Sequence, residues 1–189
     1  MARIVVVRHG DTFATGEPVL RIGARTDLPL VASGRAQAER LRERLDALGW
    51  RFARVLSGPL RRTVETAGLL TGTEPERAHW LAEIDHGPDE GRPEAEVVAR
   101  IGRAALDRWN AEALPPPGWL VDADARIAAW RAFLGTDEDA LLVTSNGAAR
   151  FALAAIGARP VGGLKLRTGA YGVIEDGGLA AWNVRPGDQ

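Results

Sequence analysis

The stretch VVVRHGDT, residues 5–12, sets three β-branched apolar residues directly ahead of an arginine, a histidine and a glycine. The run opens at Arg3 and has the composition of a strand buried on both faces. Its end in Arg8 and His9 admits two readings: a solvated strand end, or the carboxyl end of a central strand opening on an anion site.

Two further apolar runs stop in the same way. Phe52–Leu56 leads into Ser57-Gly58-Pro59 with Arg61 and Arg62 shortly after, and ALLVTSNG, residues 140–147, ends at Ser145-Asn146-Gly147. Between these runs the spacing becomes helical. SGRAQAERLRERLDALGW (33–50) repeats Ala38, Leu41, Leu45 and Leu48 at intervals of three and four, with Ser33 as an N-cap and Gly49 closing the helix. Further helices are expected over 57–70, with Pro59 in the first turn, and over 94–111, 122–134 and 148–156. The tail 169–184 reads as a hairpin turning at Asp176-Gly177-Gly178. Strands alternating with helices imply an α/β layered domain with a mostly parallel sheet. In such sheets ligands bind at the carboxyl ends of strands, so the three polar clusters could meet in one cationic pocket.

Composition narrows the chemistry. With 189 residues, 46% hydrophobic, the chain is large enough for one substantial core. The formal net charge of -1 gives no reason to expect a nucleic-acid or membrane partner, so anion recognition must come from local charge. The absence of cysteine excludes disulfides, thiolate metal ligands and a cysteine nucleophile. The first strand starts almost at the N-terminus with no signal-like segment, which points to a cytoplasmic protein. Lys165 is the only lysine among many arginines, a bias read as base composition. Neighbouring cations disfavour an imidazolium, so His9 beside Arg8 should be held neutral and nucleophilic.

These segments resemble a known family. RHGDT (8–12), TDLPLVASGRAQAERL (26–41), SGPLRRTVETA (57–67), LAEIDHG (81–87) and VTSNG (143–147) stand in the order and at about the spacing of the histidine phosphatase, or phosphoglycerate-mutase-like, superfamily. The resemblance implies a three-layer α/β/α fold over 1–189, with a cap-like excursion at roughly 83–120. It assigns to His9 the nucleophile that forms a phosphohistidine, to Arg8 and Arg62 the phosphoryl oxygens, and to Glu83, with Asp85 as an alternative, the proton donor. That role would need the Glu83 pKa raised by burial or by Asp85, Asp89 and Glu90. Arg61 holds the variable position and should point elsewhere, and His86 and His79 read as loop side chains.

Two positions depart from the family pattern. Asn146 stands where a second histidine is usual, and Thr15 where an asparagine often helps bind phosphate. Both can still donate hydrogen bonds. Two functions follow: a phosphatase for a small phosphomonoester, needing neither cofactor nor metal, or a phosphate- or phosphometabolite-binding protein with weak or no turnover. Trp109 and Trp119 fit either a pocket mouth or the core. Nothing in the sequence bears on oligomeric state.

Overall fold

A computed structural model describes residues 2–187. Six strands form one sheet: β1 (Arg3–Arg8), β2 (Arg54–Ser57), β3 (Glu76–Arg77), β4 (Ala140–Thr144), β5 (Tyr171–Glu175) and β6 (Gly178–Val184), in the spatial order β3-β2-β4-β1-β5-β6. The first four run parallel, β5 runs antiparallel to β1, and β6 turns back antiparallel to β5. Burial explains the central positions. Every residue of β4 is buried, and in β1 Ile4 and Val6 face one core cluster while Val5 and Val7 face the other. A strand apolar on both faces is stable only with a layer on each side.

One layer consists of α1 (Ala32–Ala47) and α2 (Arg61–Thr71), which send Leu41, Leu45, Ala67 and Leu70 against Val5, Val7, Leu141 and Val143. The opposite layer contains α3 (Glu94–Ile101), α4 (Arg103–Glu112), α5 (Ala123–Leu134) and α6 (Asn146–Ile156). Val97, Leu106, Trp109 and Trp119 of the 83–120 excursion join Trp130, Phe133 and Phe151 in its core. The fold is therefore a three-layer α/β/α sandwich. Among the described residues no helix is long and apolar enough to cross a membrane.

Register brings the carboxyl ends of the central strands abreast: Val7 pairs with Val143, Ser57 also with Val143, and Arg8 with Thr144. Beyond the ladder, His9 N–H donates to Thr144 O and Gly58 N–H to Val143 O, both at 3.0 Å. The three loops are thus fixed to one another where the strands stop.

Several boundaries differ from the sequence expectations. Residues 94–111 are two helices, because Gly102 adopts φ 81°, a conformation that suits glycine and interrupts the helical hydrogen bonds. Ser33 does not cap α1. Val31 is the N-cap residue, with its N–H on Asp11 O, and Ser33 Oγ instead reaches Asp11 Oδ2 at 3.2 Å. Pro59 precedes Leu60, the N-cap residue of α2, and so lies outside the helix; Asp27 Oδ1 accepts the Arg61 N–H at its start. Gly49 does follow the end of α1, and the hairpin turn falls at Asp176-Gly177.

Candidate active site

Because β1 ends between β4 and β5, its last side chains enter a cavity of about 830 Å³ above the carboxyl edge of the sheet. Arg8, His9, Glu83, Asn146 and Thr15 all line this cavity, although they are spread over most of the chain. Thr15 is exposed at the rim, whereas His9 and Glu83 are buried.

His9 Nδ1 lies 2.8 Å from the carbonyl of Gly10. A carbonyl can only accept, so Nδ1 carries the proton and Nε2 presents a lone pair. Burial pushes the His9 pKa well below the ordinary histidine value, and the charges of Arg8 and Arg62 push it further, against a smaller opposing effect of the Gly10 hydrogen bond. The imidazole is therefore neutral near pH 7. The loop that holds it is packed tightly: a Cβ on Gly10 would lie 2.3 Å from Gly34 O. Gln37 grips Asp11 from both sides, accepting its N–H at 3.0 Å and donating to Oδ2 at 2.9 Å.

Arg8 and Arg62 supply buried positive charge in different ways. Arg8 donates through one terminal nitrogen to Leu166 O at 2.9 Å, and its buried Nε–H has no acceptor among the described residues. Arg62 is fully buried and does not line the cavity. Its two terminal nitrogens donate to Thr26 O (2.5 Å) and Gly23 O (3.0 Å), again leaving Nε–H without a partner among the described residues. The open fork expected of Arg62 is thus engaged by the 23–26 loop, and its charge reaches the site through the field acting on His9 and Glu83. Burial lowers the pKa of both guanidinium groups. Arg61 points away and pairs with Glu65 at 3.5 Å.

Glu83 is held by two backbone donors, Ile84 N–H to Oε1 at 2.9 Å and Gly147 N–H to Oε2 at 3.1 Å. Its pKa is not raised as expected. Burial alone would raise it, but His86, the two N–H donors and Arg62 outweigh burial and hold the carboxyl below its ordinary value. The acids thought to raise it face other partners. Asp85 accepts from Gly87 N–H and Arg25, Asp89 from Arg100 and Trp119, and Glu90 from Gly23, Arg25 and Thr26. Asp85 does not line the cavity, which leaves Glu83 as the carboxylate that this loop places in the same cavity as His9.

Asn146 opens α6, and its Oδ1 accepts Leu166 N–H at 2.9 Å, leaving the amide NH2 as its free donor. Behind it, Arg150 donates to Asn146 O and Trp109 O and lies 4.1 Å from the centre of the Trp109 ring; burial pushes its pKa down to about 10. Trp109 is both core and wall of this cavity, whereas Trp119 is a core residue that does not line it.

Among the lining residues that sequence reasoning missed are the cationic or titratable Arg21, Lys165 and His86. Arg21 pairs with Glu94 and stacks on Trp119, and Lys165 lies exposed at the rim. Neither stands near a motif. His86 follows Glu83 by three residues, and that proximity was the available signal.

Comparison with known proteins identifies the family. The sequence profile of the histidine phosphatase superfamily (branch 1) matches residues 4–174. A 2,3-bisphosphoglycerate-dependent phosphoglycerate mutase of Rhizobium etli is 31% identical over 136 residues, covering 67% of this chain and 64% of the mutase. An acid phosphatase of Mycobacterium tuberculosis is 36% identical over 89 residues, covering 47% and 43%. The chain thus spans less than two thirds of the length of either relative. The structure of a mycobacterial glucosyl-3-phosphoglycerate phosphatase superposes with a TM-score of 0.77 at 24% identity, covering 98% of this chain and 100% of that one, a likeness of fold alone. A neutral histidine at the end of the first strand, buried arginines beside it and a carboxylate in the same cavity thus occur in a chain that belongs to the histidine phosphatase superfamily.

Proposed function

We propose that the protein is a phosphatase that hydrolyses a small phosphomonoester through a phosphohistidine on His9, without a metal ion or other cofactor. The reading goes with a cytoplasmic location and with no nucleic-acid or membrane partner. The observation that carries it is the His9 ring, whose Nδ1 is engaged by Gly10 O while burial and two arginines keep Nε2 unprotonated. Kinship with a family that includes an acid phosphatase supports the same reading.

In this mechanism His9 Nε2 attacks phosphorus, forming an N–P bond as the bond to the ester oxygen breaks, and Glu83 gives that oxygen a proton. Water then attacks phosphorus, Glu83 takes its proton, and the N–P bond breaks to release phosphate and restore the imidazole. Glu83 is ionised in the free protein, so its proton arrives with the substrate. A phosphoryl group near the carboxylate raises the Glu83 pKa by like-charge repulsion, and a monoanionic ester brings a proton of its own. Arg8, Arg62 and the N-terminus of α6 stabilise the charge on the phosphoryl oxygens.

One observation favours a second reading, a phosphate- or phosphometabolite-binding protein with little turnover: Asn146 brings no charge, and its Oδ1 is committed to Leu166. A panel of phosphomonoesters assayed with chelator over pH 5–8, for wild type and His9→Ala, separates the two. His9-dependent phosphate release is the expected outcome. Binding of inorganic phosphate with no release from any ester would favour the second reading.

A further inference from the structure

His86 is a second buried imidazole in the same cavity, only 5% exposed, and neither of its ring nitrogens hydrogen-bonds to any described residue. Nδ1 is fully enclosed at 3.9 Å from Glu90 Oε2, beyond hydrogen-bonding range. Nε2 is not among the enclosed unpartnered atoms, so it is the nitrogen that reaches the cavity. The ring is held rigidly. It meets Trp119 edge-on at 4.6 Å between centroids, and the Trp119 Nε1–H is anchored on Asp89 Oδ2 at 2.7 Å. A buried histidine with no protein partner is unusual, since buried polar groups are almost always satisfied. Packing alone would be served by phenylalanine.

The 83–86 segment abuts the helix start that carries Asn146: a Cβ on Gly147 would come within 2.2 Å of Glu83 Oε1 and 3.2 Å of Ile84 Cγ1. The charged groups around His86 are Glu83, Glu90 and Asp89 from its own loop, which raise its pKa, and Arg21 from the 20–23 segment, which lowers it; burial leads and leaves the pKa below the ordinary histidine value. A neutral ring whose Nδ1 faces no donor can still donate from Nε2.

We propose that His86 is the second imidazole of the phosphoryl site, donating from Nε2–H to a phosphoryl oxygen and supplying from the Glu83 loop the contact that the family pattern places at position 146. The proposal rests on the phosphatase reading for its effect on rate, but the contact itself can be tested with inorganic phosphate alone.

The chain has three histidines, so long-range 15N–1H spectra of the labelled protein, assigned with His79→Gln and His86→Phe, resolve each ring. Adding inorganic phosphate should shift His86 Nε2 in its protonated form, whether or not the protein turns over any ester. No shift at His86 overturns the proposal. In the activity assay His86→Phe, which keeps the contact with Trp119, should lower kcat about tenfold to hundredfold. Asn146→His in that background should restore part of the loss, which a packing defect would not allow. Unchanged kcat in His86→Phe also overturns the proposal. A wild type that binds phosphate with the His86 shift but hydrolyses nothing would instead defeat the phosphatase reading and leave the contact standing.

Discussion

Glu83 Oε2 accepts the backbone N–H of Gly147 at 3.1 Å, tying the loop after β3 to the first turn of α6. Both carboxylate oxygens take backbone donors, so the acid's position is set by the main chain. A side chain at 147 has no room, because its Cβ would stand 2.2 Å from Glu83 Oε1. Gly147→Ala is therefore expected to displace Glu83, lowering kcat about tenfold or more and stability by about 1–3 kcal/mol. Steady-state kinetics and denaturant unfolding check this pair of effects; wild-type values in both would refute the positioning argument.

Glu83→Gln keeps the shape of the side chain and removes its proton chemistry. General acid catalysis contributes about 10²–10⁴-fold, and it matters most when the leaving oxygen is basic. The variant should lose that factor on alkyl phosphates and much less on aryl phosphates with acidic leaving groups. Equal losses on both would indicate that Glu83 does not protonate the leaving group.

Stability should depend on pH in a definite direction. Glu83 has a folded pKa below its unfolded value, so its contribution is present at neutral pH and is lost as pH falls toward its folded pKa. His9 and His86 also have lowered pKa values, led by burial, so below about pH 6.5 the unfolded chain binds protons that the folded one refuses. All three groups act with the same sign. Tm should fall steadily from pH 7 to pH 4, and His9→Gln should flatten the upper part of that fall. A flat profile would contradict the assigned ionisation states.

Much of this was legible in the sequence because it is local. The unbroken apolar runs Ile4–Val7 and Ala140–Val143 identify central strands, and Arg8-His9 and Ser145-Asn146 mark where they stop. What escaped depends on tertiary contacts. Ser33 has the composition of a cap, but Asp11, 22 residues earlier in the chain, takes its hydroxyl. The acidic stretch after Glu83 suggested mutual repulsion among carboxylates, whereas the fold gives each its own partners, with Arg100 and Trp119 on Asp89 and Gly23 and Thr26 on Glu90. Arg21 and Lys165 reach the cavity from segments without a motif, and only the assembled sheet brings them there.

The proposed reaction turns on attack of His9 Nε2 on phosphorus. The most direct test is to mix the protein with a phosphomonoester, quench in alkali within one turnover, and map phosphorylation by peptide mass spectrometry with 31P NMR. A phosphoryl group on Nε2 of His9, absent from His9→Ala, is the expected result. Steady phosphate release with no phosphoryl-His9 at any quench time, or turnover that survives in His9→Ala, would contradict it.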